Sequence, residues 1–214
     1  MTRWLLITAL PLLLASCQES RNKQRAEIRK AFRGFSTAFF ATDSTTAANY
    51  LSERTYRYYD RIIPLTRNAD DARLSALPAI DLFTCLALRH RYSAEELVHL
   101  DSRTLVLDAF AQMTFPGGAP HFLDIGEISI REQGRKARAP VLLPPRQWLE
   151  GIQVSFVREN GAWKMDLTSV FKELGTRLEP SLTDPSSSRA EMALYHLQMH
   201  ENEVIGKELL SPSN

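Results

Sequence analysis

The hydrophobic pattern of this 214-residue chain changes period part-way along, and that change limits its possible folds more than any other feature. As far as about Met113 the apolar residues recur every three or four positions, as on one face of a helix. From His121 they alternate, as on a strand. His121 to Arg131 and Arg135 to Leu143 read as strands joined around Gln133-Gly134. Ile152 to Arg158 and Trp163 to Leu167 read as two more, flanking Asn160-Gly161. An Asn-Gly pair between alternating segments is a strong hairpin signal, because both residues accept the left-handed backbone of a tight reversal. Helices followed by antiparallel strands define an α+β fold, in which helices pack on a curved antiparallel sheet of about four strands. Residues 176–188, with Glu179-Pro180 and Pro185-Ser186-Ser187, read as a linker to a C-terminal segment, 189–214. There Ser188-x-x-Glu191 caps a last helix to about Leu209.

The helical part opens with an amphipathic stretch from about Lys23 to Ala41, whose Ile28, Phe32, Phe35 and Phe39 form one buried stripe. Its other side is basic: Arg21, Lys23, Arg25, Arg29, Lys30 and Arg33 against Glu27. That side is either an ordinary solvated face or a surface for anionic headgroups. Asp43 reads as the N-cap of a short helix through Tyr50. Ser52 caps another, in which Tyr56, Tyr59, Ile62 and Ile63 share a side and which Pro64 ends. Ala79 to Leu88 is apolar nearly all round and belongs in the interior. A capping box at Ser93-x-x-Glu96 and a helix from about Ser102 to Met113 follow, stopped by Phe115-Pro116-Gly117-Gly118.

Ahead of all this, Arg3 precedes an apolar run from Trp4 to Leu14, and Leu14-Ala15-Ser16-Cys17 comes next. The run is too short for a permanent membrane span, and small residues precede the cysteine, the order of a removable export signal. It resembles the signal of bacterial lipoproteins. The resemblance implies that residues 1–16 are removed and that Cys17 becomes the first residue, carrying fatty acyl chains on its sulfur and amino group. Gln18 rather than Asp implies passage to the outer membrane of the bacterial cell envelope, with the body facing the periplasm. An ordinary secretory signal with an incidental cysteine is the alternative. Residues 17–22 form a polar tether, and at ~3.5 Å per residue it reaches less than about 20 Å. Loss of the signal removes one Arg and no acid, so the 26 basic residues become 25, against 25 acidic ones. A neutral body argues against nucleic acid as a partner, which demands a basic surface. With Cys17 acylated, Cys85 is the one remaining thiol, and Leu82, Phe83, Leu86 and Leu88 around it favour burial.

Two segments resemble the nuclear-transport-factor-like superfamily, which includes ketosteroid isomerase-like and SnoaL-like proteins. The first is the amphipathic opening helix followed by Asp43 to Ser52, similar to the family's second helix and its Leu-Ser exit. The second is Arg158 to Leu167, similar to its closing hairpin, where a short turn precedes Trp163-Lys164-Met165-Asp166. In that strand Trp163, Met165 and Leu167 face one side, Lys164 and Asp166 the other. The resemblance covers about residues 23–63 and 121–175 and implies a cone-shaped domain over 23–175. Several helices stand between the two segments where the family has a shorter hairpin-containing piece.

Members of that superfamily often hold a cavity between sheet and helices, in which isomerase-like enzymes use an acid and a phenol as base and oxyanion donor. By that resemblance Asp124, alternating with Phe122, Ile128 and Ile130, is a candidate acid, and Tyr56 and Tyr59 are candidate phenols. Asp81 is a second acid in apolar company, or simply a helix cap. On the last helix His196, His200 and Glu203 fall at i, i+4 and i+7, a spacing that permits metal ligation without the His-Glu-x-x-His pattern. The other side of that helix, with Leu194, Leu197, Val204 and Ile205, reads as a docking stripe. His90 and His99 read as structural, and Trp148 as a plug at one end of the sheet. No Gly-x-Ser-x-Gly, phosphate-cradling glycine loop or dinucleotide fingerprint occurs. No cofactor or metal is expected. The leading expectation is a non-enzymatic module, held at a membrane through acylated Cys17, that binds a small apolar ligand or an envelope protein. The rival is a SnoaL-like or isomerase-like enzyme using Asp124 with a tyrosine.

Overall fold

The computed structural model describes residues 5–111, 123–143 and 147–212, with side chains over 21–109, 123–142 and 151–212. His121, Phe122, Met113 and the Phe115 to Gly118 breakers lie outside the described residues, and the side chains of Cys17 and Trp148 lie outside the described side chains. Along the chain run α1 (Leu5–Phe40), α2 (Ser44–Ala48), α3 (Glu53–Asn68), α4 (Asp71–Ser75), α5 (Ala79–Arg91), α6 (Ala94–His99) and α7 (Ser102–Ala111). The strands β1 (Asp124–Ile125), β2 (Ser129–Arg131), β3 (Lys136–Leu143), β4 (Gln147–Glu159) and β5 (Ala162–Asp166) follow, then α8 (Thr168–Leu178) and α9 (Arg189–Glu201). The fold is α+β, with a curved antiparallel sheet and a C-terminal helix, as the change of period predicts. The chain forms two compact units: one holds the segment up to Ser52 and the strands up to Asp166, the other α3 to α7 and everything from Leu167 onward.

In the strand-bearing unit the sheet order is β1-β3-β4-β5, with β2 also on β3. Asn160 and Gly161 both take positive φ, 49° and 81°, which is the mirror-image turn that an Asn-Gly hairpin needs. Ile28, Phe32 and Phe35 of α1 turn to the sheet, and Phe156, 0% exposed, meets Phe32 edge-on at 6.5 Å between ring centres. Ala137 and Ala139 sit opposite Phe156 and Val154, so small residues on β3 make room for large ones on β4. Ile28, Phe32, Phe35 and Phe156, all buried, lie between helix and sheet. The outer edge of β5 is also occupied: Met165 donates to Tyr50 O at 2.7 Å, and Ser52 donates to Met165 O at 2.8 Å. The two segments that carry the superfamily resemblance therefore meet, backbone to backbone, at Leu51 and Met165.

Three expectations for this unit change. The strand expected over 121–131 is broken in two, because Arg29 takes the carbonyls of Ile125 and Gly126 at 2.7 and 2.9 Å, and Gly126 N donates to Pro140 O beside a register shift in β3. The basic face of α1 is divided accordingly, with Arg25 and Arg29 turned to the sheet and Lys23, Lys30 and Arg33 left exposed. Residues 17–22, read as an extended tether, lie within α1 and advance only ~1.5 Å per residue.

The other unit is helical and is built around α5, whose Leu82, Cys85 and Leu86 are fully buried. α5 packs against α3, α8 and α9. Both expected capping boxes form, at Ser93 with Glu96 and at Ser188 with Glu191. Pro64 does not end α3, which runs on to Asn68. Proline deprives the helix of one hydrogen bond, but Pro64 and Asp60, whose carbonyl loses its partner, are both exposed, so water can replace it. The stretch read as a linker begins as the end of α8 and a 3-10 turn, Glu179–Leu182, with Leu182 buried and Glu179 accepting from Ala79 N at the start of α5. α9 stops at Glu201 because Asn202 turns left-handed, φ 55°, rather than continuing to Leu209. The buried guanidinium of Arg89 then holds the tail, donating to the carbonyls of Thr66, Ala69 and Leu209.

Truncating Phe156 to alanine removes the ring at the centre of the strand-bearing unit. We expect a loss of about 3–5 kcal/mol, read from the urea unfolding curve.

Candidate functional site

Asp124 sits at the start of β1 with 47% of its side chain exposed, 3.7 Å from an Arg29 nitrogen and 3.9 Å from one of Arg33. It also accepts from Ile125 N at 2.9 Å. This is a half-open carboxylate in an ion cluster, not an acid enclosed by apolar side chains. Asp124 belongs to the strand-bearing unit, whereas Tyr56 and Tyr59 belong to the helical one.

The acid and phenol that meet are a different pair. In the helical unit Tyr58 donates to one oxygen of Asp81 at 2.9 Å, and Arg61 donates to the other at 2.9 Å. Asp81 is 4% exposed at its side chain, and the Arg61 guanidinium also lies over the Tyr58 ring, 5.3 Å from its centre. Phe171 of α8 packs on Tyr58 at 4.8 Å, and Tyr59 lies beside it at 5.1 Å. Asp81 is therefore not a helix cap. Both of its oxygens are satisfied by side chains, which suits a buried structural network. Burial raises the phenols of Tyr58, Tyr56 and Tyr59, the last up to about 12, and raises the thiol of Cys85. A phenol so held stays protonated, and a thiol so held is a packing group rather than a nucleophile.

The three residues whose spacing permits metal ligation are dispersed. His196 Nε2 lies 3.0 Å from Ser181 O, and His200 is exposed at the end of α9. Glu203 falls beyond the left-handed Asn202 and pairs with His90 Nε2 at 3.0 Å, so it no longer shares a helical face with the two histidines. Among the described residues no three His, Cys, Asp or Glu side chains gather as a metal would require. The docking stripe of α9 is real, since Ala190, Ala193, Leu194 and Leu197 are buried, although Val204 is exposed.

What the strand-bearing unit does offer is a groove of about 760 Å³ along the outer side of α1. Ala26, Lys30, Gly34 and Ala38 follow one stripe of α1, continued by Ala41 in the turn after it and flanked by Arg29, Arg33 and Thr37, and Asp43, Thr46 and Tyr50 close the opposite side. Its size is that of small-molecule sites. Gly34 makes it possible: a Cβ there would stand 2.3 Å from the Tyr50 hydroxyl, so only glycine lets the phenol lie against the helix. The Asp43 carboxylate is already engaged as the α2 cap, accepting from Thr46 N at 3.0 Å. Neither Gly34 nor Tyr50 was legible as a site residue, because their pairing depends on how α2 folds back on α1. A smaller groove, about 400 Å³, lies between Arg21, Gln24 and the Ile130 to Gly134 turn.

Compared with known proteins, the chain matches no family model, no curated protein and no solved structure. No helix among the described residues is long and apolar enough to cross a membrane.

The raised phenol of Tyr59 gives a pH dependence. Its folded state holds the proton more tightly than the unfolded chain, so this contribution to stability is full below pH 10 and declines as the pH rises from 10 towards about 12. Replacing Tyr59 with phenylalanine is expected to remove that part of the alkaline loss of stability, measured by unfolding at successive pH values.

Proposed function

We propose that the protein is a bacterial envelope lipoprotein, anchored through acylated Cys17 and facing the periplasm, whose strand-bearing unit is a non-enzymatic module for a small apolar ligand. One observation carries the binding reading: the groove of about 760 Å³ has an apolar stripe of Ala26, Gly34, Ala38 and Ala41, bordered by the donors Arg29, Lys30, Arg33 and Tyr50. The sequence Leu14-Ala15-Ser16-Cys17 supports the anchor. Several features speak for binding rather than turnover. The rings of Phe32, Phe35 and Phe156 are buried beneath α1; Asp124 is tied to arginines; and Asp81 is fully engaged. Acyl chains would hold the module at the bilayer, since two or more anchor stably where a single one does not.

Intact mass measurement of the protein taken from its native envelope tests the anchor. We expect a chain lacking residues 1–16 and heavier by fatty acyl groups, and a Cys17→Ser variant without the added mass. An unacylated amino end in the unaltered protein would contradict the reading.

A further inference from the structure

We propose that the α1 groove binds the phosphate headgroup of an anionic phospholipid, with Lys30, Arg33 and the Tyr50 hydroxyl as its donors. The inference rests on the reading of this unit as a binding module and sharpens its ligand class from apolar to amphipathic, with the apolar part on the alanine stripe and the phosphate on the bordering donors. Charge is the first ground. Of the groove's three cations, Arg29 is committed to the carbonyls of Ile125 and Gly126, but Lys30 has no acidic partner among the described residues. Arg33 reaches Asp124 only at 3.9 Å and keeps 67% of its side chain exposed. The groove's one acid, Asp43, gives one oxygen to the α2 cap, and its single charge stands against those of Lys30 and Arg33. Donors therefore outnumber free acceptors, and a phosphate is the complement of such a set.

Tyr50 is the second ground. Its hydroxyl lies against Gly34, one helical turn beyond Lys30, and makes no hydrogen bond to another described residue. Apolar walls are the third: Ala26, Ala38 and Ala41 extend the groove along the helix and suit the glycerol and first methylenes of a lipid better than a free ion. From Cys17 to Ala26 the helix rises only about 14 Å, so an acyl anchor at Cys17 would keep the groove within reach of headgroups.

The test titrates the purified protein with soluble, short-chain phosphatidylglycerol, with phosphatidylcholine of the same chain length, and with inorganic phosphate, following backbone NMR signals of residues 26–50. The proposal expects phosphatidylglycerol to shift Gly34 and Tyr50 and to bind at least roughly tenfold more tightly than the other two, the scale of a charge-assisted hydrogen bond. Lys30→Gln with Arg33→Gln, both at exposed positions, should weaken it by roughly tenfold or more, and Tyr50→Phe by several-fold, with unchanged circular dichroism. Equal binding of inorganic phosphate, or phosphatidylglycerol binding that the double variant leaves intact, would overturn the inference. If phosphatidylcholine shifts the same signals equally, the binding module stands and the choice of an anionic lipid falls. If none of the three perturbs the groove, both fall.

Discussion

The guanidinium of Arg29 fixes the strand-bearing unit. Where the first strand breaks, the carbonyls of Ile125 and Gly126 are met by a side chain rather than by a neighbouring strand, and a carbonyl buried without a donor is costly. Arg29 supplies both donors from one planar fork, and Arg25 reaches Ile128 O at 3.4 Å one turn earlier on the same helix. Ile28 and Phe32, interleaved with these arginines, enter the core. The apolar stripe and the cationic fork together set the rotation of α1 about its axis. That rotation turns Lys30 and Gly34 away from the core, with Arg33 at the border beside Asp124, and there Tyr50 and α2 complete a groove.

Local chemistry was legible wherever one residue type has one use. Asn160-Gly161 makes its turn, Asp43 and both capping boxes make their caps, and Ile28, Phe32 and Phe35 form their seam, because each signal is satisfied within a few residues. The errors share a cause as well. Pro64 stops a helix only if the lost hydrogen bond goes unreplaced, and at an exposed position water replaces it. The alternation of 121–131 gave no warning of a break whose donors come from Arg29, 96 residues away in sequence. The histidine spacing on α9 assumed a helix that Asn202 ends.

The candidate site follows the same division. Asp124 was placed on a strand start from sequence, but its ion pairs with α1 were not visible there. Tyr58, rather than Tyr56 or Tyr59, meets Asp81, a pairing that depends on how α3 packs against α5. The groove could not be read at all, since it exists only where a glycine on one helix receives a phenol from another segment. The meeting of Leu51-Ser52 with Met165 is informative in the opposite sense. Two stretches singled out separately in the sequence share backbone hydrogen bonds across the edge of β5.

The dependence of the helix and the broken strand on one side chain can be measured directly by amide hydrogen exchange in an Arg29→Lys variant. A lysine keeps the charge but presents a single point, which cannot serve two carbonyls in the geometry of the fork. Peptides covering residues 21–40 and 123–131 should lose protection together. Unchanged protection in both, or a loss confined to α1, would contradict the account.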